Sequence, residues 1–224
     1  MQTVLLADGA FPTQPHLIQR MQQAKQLVCC DGAIKKLMQI GLTPTAIVGD
    51  MDSIPADYRQ QFSDRLYPSP DQETNDLTKA VEWCIAHNFR DLCILGATGL
   101  REDHTIGNMS LLGDYVRKVD SVCILTDYGR LDAFNTQAGD QTGNDWNSCK
   151  QDDGSFVARF QTRPGQQVSL FSLDSHSKLT TSGLQYPIVD RSFTSWWQGS
   201  LNEALGESFE IRMKSGCVLV YRLD

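Results

Sequence analysis

Lysine and arginine are never clustered in this 224-residue chain: 20 of them are set against 27 acidic residues, for a formal net charge of -7. A broad nucleic-acid footprint needs a basic patch or stripe, so that class of partner is set aside. A small anionic ligand is not, because a metal can mediate its contact. No apolar run approaches the length of a membrane span, and the opening "MQTVLLADGAFP" has neither a basic segment nor a long apolar one. A cytoplasmic protein without membrane or nucleic-acid partner is the expectation. The seven cysteines make no CxxC pair and no tight Cys/His group. Several sit in apolar strand-like runs, where a free thiol is a small buried hydrophobe. Internal repeats, low-complexity tracts, a Walker A sequence, GxGxxG and a Ser/Cys–His–Asp order for covalent hydrolysis are all missing.

What is there is the composition of a globular protein, 41% apolar and 21% charged, long enough for one large or two modest domains. "TVLLADG", "QLVCCDG", "TAIVGDMDS", "DLCILGATG" and "SVCILTDYG" are short apolar runs that each end in Asp or Gly. Continuous apolar runs suit parallel strands covered on both faces. Helical patterns lie between them: "PHLIQRMQQAKQ", "GAIKKLMQIG" and "NDLTKAVEWCIAHN", the last with Asn75 as N-cap and Asp76 in its first turn. Alternation of this kind predicts an open, mainly parallel α/β sheet, whose C-terminal strand edges host ligands.

After about Leu131 the texture changes. "NTQAGDQTGNDWNSCKQDDGS" is polar, without an amphipathic period, and reads as a linker. The segments beyond it, from "FVARFQ" to "CVLVYRL", are of β type, and the final pair reads as a hairpin around Lys214–Ser215–Gly216. The expected organisation is an α/β domain over residues 1–135 and a smaller all-β sandwich over 154–224.

Asp50, Asp52, Asp76 and Asp103 fall at expected strand ends or helix starts on the ligand-prone edge. "GDMDS" fits a solvated turn as well as a metal site, but several converging carboxylates need a cation to neutralise them, and hard oxygen ligands suit Mg²⁺ together with phosphates. In "LGATGLREDHTIGN", Gly96 and Gly99 can let backbone N–H groups approach a phosphate, and Arg101 can hold one bidentately or pair with Glu102 or Asp103. His104 fits acid–base work or a structural role equally. Gln72 both donates and accepts, as reading a polar heterocycle requires. In the β half, Thr180, Thr181 and Ser182 reach a turn shortly before Tyr186, and Trp196 and Trp197 are adjacent.

Taken together these stretches resemble the thiamine pyrophosphokinase family, in order and over essentially the whole chain. They are "CDGA" at 30–33, "GDMDS" at 49–53, "DQETNDLTKA" at 71–80, "GATGLREDHTIGN" at 96–108, "TTSGLQYPI" at 180–188 and "GSLNE" at 199–203. The resemblance implies an α/β domain followed by a β-sandwich, and a homodimer with sites shared across its interface. It also implies transfer of the pyrophosphoryl group of ATP, as co-substrate, to the hydroxyethyl oxygen of thiamine. It places Asp50, Asp52 and Asp76 at Mg²⁺ and the phosphates, and matches Gln72, Arg101, Asp103, His104 and Asn108 to the phosphate and base side. Thr180, Thr181 and Asn202 match the thiamine side. Ala97 and Leu100 stand where the family has glycines, Leu201 where it has serine, and Tyr186 where it has tryptophan. A Mg²⁺-dependent hydrolase using the same acids, and a nucleotide-binding protein without turnover, are the other classes that fit.

Overall fold

A computed structural model describes residues 3–224. The chain divides into two compact units, one of residues up to Met109 with Ile124–Asp127, the other of Ser110–Cys123 with Tyr128–Asp224. In the first unit strands and helices alternate: β1 (Thr3–Leu6), α1 (Pro15–Gln23), β2 (Leu27–Cys30), α2 (Ile34–Gln39), β3 (Ala46–Gly49), α3 (Ala56–Gln61), β4 (Leu66–Pro68), α4 (Asp76–Ala86) and β5 (Asp91–Leu95). α5 (Glu102–Tyr115) and β6 (Ser121–Thr126) contribute residues to both units.

The five strands of the first unit hydrogen-bond in the order β5-β1-β2-β3-β4, all parallel. Every residue of β1, β2 and β3 is buried, as uninterrupted apolar runs require when both faces of a sheet are covered. α4 packs on β2 and β3 through Leu77, Ala80, Val81 and Cys84. Its first turn is closed by Asn75, whose Oδ1 accepts from the Thr78 N–H at 2.9 Å, the cap expected from the sequence. Parallel order puts the C-terminal ends of β1, β2, β3 and β5 on one edge.

The second unit is a sandwich. β7 (Gly129–Asn135), β10 (Gln167–Ser172), β12 (Asn202–Glu203) and β14 (Cys217–Leu223) form one antiparallel sheet in the order β12-β10-β14-β7. β8 (Trp146–Lys150), β9 (Phe156–Gln161), β11 (Thr180–Ser182) and β13 (Ser208–Met213) form the other, in the order β11-β13-β9-β8. Between them lies a core in which Phe160 stacks on Trp146 at 5.0 Å and on Phe209 at 5.1 Å. The architecture is thus an N-terminal α/β unit followed by an all-β sandwich.

Three local expectations change. The stretch read as a linker contains β8, whose polar residues alternate with the buried Trp146 and Ser148; a strand covered on one face needs only that alternation. β7 pairs along its length with β14 and lies in the second unit, ahead of the boundary expected at residue 135. β13 and β14 do not form a hairpin, because Lys214–Gly216 is a corner that carries the chain from one sheet to the other. β13 pairs with β9 and β11 in one sheet, and β14 with β7 and β10 in the other. Six cysteines are buried and Cys149 is exposed, all with free thiols. Burial pushes the Cys84 and Cys217 thiols up to about 12, so both are inert at neutral pH. Among the described residues no helix is long and apolar enough to cross a membrane.

Candidate active site

The C-terminal strand edge of the first unit opens into a cavity of about 510 Å³. β1 delivers Asp8 and Gly9, β3 delivers Asp50, β5 delivers Ala97 and Thr98, and the start of α4 delivers Asn75, Asp76 and Lys79. Of the residues expected from sequence, Asp50, Asp76, Gln72, Arg101, His104 and Asn108 line this cavity. Asp52, Asp103, Gly96 and Gly99 do not.

Asp52 is exposed, and its backbone N–H donates to Asp50 Oδ1 at 3.0 Å, which holds the Asp50 carboxyl below its ordinary range. Asp103 is also exposed and engages Arg101 through both oxygens, with Nε at 3.1 Å and Nη2 at 2.5 Å. Arg101, together with the His104 backbone N–H, draws the Asp103 carboxyl down to about 2. In this state the Arg101 fork is therefore occupied by its neighbour. Gly96 adopts φ +66°, and a Cβ there would stand 2.6 Å from the Ala7 carbonyl; only glycine lets the loop after β5 approach the loop after β1 so closely. The two loops are stitched by Gly9 N–H to Gly96 carbonyl at 2.6 Å and Ala10 N–H to Thr98 carbonyl at 2.7 Å. Asn108 uses both ends of its amide locally, accepting from Asn75 Nδ2 at 3.0 Å and donating to the Ala97 carbonyl at 2.8 Å. It ties the start of α4 to the glycine loop.

Sequence reasoning passed over three charged groups here. Asp31 follows β2 as Asp50 follows β3, and is 2% exposed. Burial first, then the charges of Asp76 and Asp50, raise its carboxyl to about 6, against N–H groups of Gly32 and Met51 that pull it down. Asp8 follows β1, with Lys36 Nζ 2.7 Å from its Oδ1 and also bonded to the Asp8 and Gly9 carbonyls. Both belong to the same series of apolar runs ending in Asp that exposed Asp50. Lys79 had no such signal: it sits on the buried face of α4 with its side chain 5% exposed and Nζ 3.1 Å from Asp76 Oδ1.

The cavity thus gathers carboxylates that repel one another, tempered by one buried ammonium. Among the described residues no group of three or more His, Cys, Asp or Glu side chains is arranged to hold a metal by itself. Asp50 and Asp76 in one wall, with the proton affinity of Asp31 raised behind them, fit Mg²⁺, which takes one or two carboxylates and completes its shell with waters and substrate phosphates.

The raised Asp31 carboxyl predicts a pH dependence. The folded protein binds this proton more tightly than the unfolded chain. The Asp31 contribution to stability is therefore full below the ordinary value of 3.8 and lost as pH rises through about 6. The ligand-free wild type should lose thermal stability relative to D31N as pH rises from about 4 to about 6. Parallel melting-temperature curves for the two proteins would contradict the assignment.

Of the residues expected in the β half, Thr181 Oγ1 accepts from the Ile188 N–H at 3.0 Å and Thr180 Oγ1 from the Asp190 N–H at 3.1 Å. Asn202 is buried: its Oδ1 accepts from the N–H groups of Tyr186 and Glu203, and its Nδ2 donates to the Tyr186 carbonyl at 2.7 Å. Its amide is spent on holding the backbone of Tyr186, whose ring is exposed.

An α/β unit with acids and glycines at its C-terminal strand edge, followed by a β-sandwich, defines a class of two-domain proteins. Residues 17–124 match the family model "Thiamin pyrophosphokinase, catalytic domain", and residues 155–221 match "Thiamin pyrophosphokinase, substrate-binding domain". The chain belongs to the thiamin pyrophosphokinase family. It is 33% identical to Thiamin pyrophosphokinase 1 of Caenorhabditis elegans over 108 residues, 44% of this chain and 43% of that protein's own length. It is 23% identical to Thiamine pyrophosphokinase of Bacillus subtilis over 194 residues, 84% of this chain and 82% of that one. The crystal structure of Thiamin pyrophosphokinase from Geobacillus thermodenitrificans superposes with a TM-score of 0.72 at 21% identity, over 100% of this chain and 98% of that one, and shows the same fold.

Proposed function

We propose that this protein transfers the pyrophosphoryl group of ATP to the hydroxyethyl oxygen of thiamine, yielding thiamine diphosphate and AMP. The observation that carries the reading is the acid-lined cavity at the strand ends, with Lys79 and Arg101 among its walls, in a chain matched by both family models. Asp50 and Asp76 would hold Mg²⁺, with Asp52 able to join from the adjoining turn. Bound there, Mg²⁺ would supply charge neutralisation to the phosphate oxygens.

The thiamine oxygen forms a bond to the β-phosphorus as the bond from that phosphorus to the α–β bridging oxygen breaks. AMP leaves with the electron pair, and the hydroxyl proton passes to solvent. Phosphoryl transfer of this type asks for positioning and charge stabilisation more than for a strong base. Lys79 pairs with Asp76, Arg101 turns its fork from Asp103 to the phosphate chain, and Asn108 fixes the glycine loop against α4. Gln72 and His104 complete the wall around the nucleotide and base. The exposed Tyr186 ring offers a flat apolar face for thiamine, and Thr180, Thr181 and Asn202 set the backbone that presents it. In this reading the active protein is a homodimer with sites shared between subunits.

The decisive experiment follows AMP and thiamine diphosphate together by chromatography, with and without thiamine and Mg²⁺. AMP appearing only when both are present, in step with thiamine diphosphate, supports transfer. AMP formed equally without thiamine identifies a hydrolase instead, and no AMP under any condition identifies a binding protein. R101K should remain strongly impaired in this assay, because an ammonium does not reproduce the two-pronged guanidinium. A monomer in sedimentation with full turnover would remove the shared site.

A further inference from the structure

Between the two carboxylates of "GDMDS" stands a methionine in a backbone conformation that side chains avoid. Met51 has φ +72°, in the left-handed region, where a Cβ crowds the following carbonyl. Such a residue persists only where its surroundings impose it. Here both polar atoms of its backbone are held. The Met51 N–H donates to Asp31 Oδ2 at 2.9 Å, and its carbonyl accepts from Arg59 Nη2. Arg59 reaches from α3 and also donates from Nε to the Ile54 carbonyl at 3.2 Å, so one guanidinium spans the turn that follows Asp50. Met51 and Ile54 are themselves buried. Arg59 lines no part of the cavity, and its contacts here are to backbone carbonyls.

We propose that Arg59 is a positioning residue for the acidic turn, acting through the left-handed Met51 to set where Asp50 and Asp52 point. The proposal rests on the reading of this cavity as a divalent-cation and phosphate site. If Met51 relaxed to the right-handed or extended regions, the 51–52 peptide would turn over. The Asp52 N–H that now holds the Asp50 carboxylate at 3.0 Å would then leave it. Arginine suits the task because its donors sit in a fixed planar fork that meets two carbonyls at once, where lysine offers a single point.

Glycine supplies the discriminating variant. It enters the left-handed region without the cost a Cβ brings, so a turn carrying M51G has little need of the clamp. The full-length protein, free of substrates, is titrated with Mn²⁺ by electron paramagnetic resonance, as wild type, R59A, R59K, M51G and R59A/M51G. Hydrogen exchange of the Asp52 amide is measured on the same set. R59A should weaken Mn²⁺ about tenfold, in the range seen when outer partners of a metal site are removed, with R59K in between. M51G should bind nearly as wild type does, and R59A/M51G should recover most of what R59A lost. Exchange at Asp52 should quicken in R59A and slow again in the double variant.

Mn²⁺ affinity unchanged in R59A overturns the proposal, as does a folded R59A whose loss M51G leaves undiminished. Should R59A fail to fold, R59K and R59K/M51G give the same comparison. If the wild type binds no Mn²⁺, the cation reading of the cavity has failed, and the exchange data still decide: an Asp52 amide indifferent to Arg59 refutes the clamp, and one that quickens in R59A and slows with M51G upholds it.

Discussion

Replacing Asp50 by asparagine should lower kcat/KM for pyrophosphoryl transfer by about three orders of magnitude, equivalent to ~4 kcal/mol of transition-state stabilisation. The substitution is unusually clean. Asparagine has nearly the same volume and keeps an oxygen to accept the Asp52 N–H, now 3.0 Å from Asp50 Oδ1, so the turn survives. What disappears is one negative charge from the cavity wall, next to Asp31, whose carboxyl the Asp50 charge helps to raise. The melting temperature should therefore hold or rise slightly while turnover collapses. Circular dichroism melts paired with the AMP and thiamine diphosphate assay measure both. Turnover within tenfold of wild type at limiting Mg²⁺ would remove Asp50 from the metal and phosphate site. D52N is the informative companion: a smaller loss, partly recovered by raised Mg²⁺, fits a carboxylate that joins from outside the wall.

Lys79→Met should cost about a hundredfold in turnover and also stability, because it takes away the cation that the acids share. Methionine keeps most of the apolar stem on the buried face of α4, but Asp76 then faces Asp31 and Asp50 uncompensated. Breaking an internal ion pair by removing one partner costs about 3–5 kcal/mol when both are buried. Asp76 remains 42% exposed, so solvent screening puts the loss at the lower end of that range or below it. The double variant K79M/D76N should regain stability, since no unpaired charge remains, without regaining activity. The regained stability isolates the structural part of the pair, and the turnover of K79M alone reports the part used in transfer. A K79M protein with wild-type turnover would show that the ammonium serves the fold alone.

The alternation of short apolar runs with amphipathic helices made the α/β unit legible, because uniform burial of β1, β2 and β3 leaves a continuous trace in composition. Asn75 was legible as a cap for the same local reason. Asp50 and Asp76 could be picked out because they follow a strand and open a helix. Asp8 and Asp31 carry the same mark after β1 and β2, but proximity across parallel strands has no local signature. Lys79 was hidden more deeply. A lysine on an apolar helix face looks like an exposed residue at the edge of the stripe, and only its neighbour one turn back, Asp76, explains its burial. In the sandwich, β8 escaped because alternation in "WNSCK" is carried by Trp146 and Ser148, one large and one polar. The corner at Lys214–Gly216 looked like a hairpin because a short glycine-bearing connection is common to both, and which sheet each strand joins is decided by partners far along the chain. Asn202 was expected to face thiamine, yet its amide is committed to the backbone of Tyr186.

The central place of β1 has a consequence in time. It pairs with β2, which follows within about two dozen residues, and on its other side with β5, where Thr3 meets Leu92 and Leu6 meets Leu95. During synthesis the loops bearing Asp8, Asp31 and Asp50 emerge long before the strand that seats Gly96 against Ala7. Until β5 leaves the ribosome, β1 keeps one edge without its β5 partner and three acids have no opposite wall. Pairings so distant along the chain are slow to find, so the cavity is among the last features of its unit to exist, and the growing chain carries an open β edge for as long as that takes.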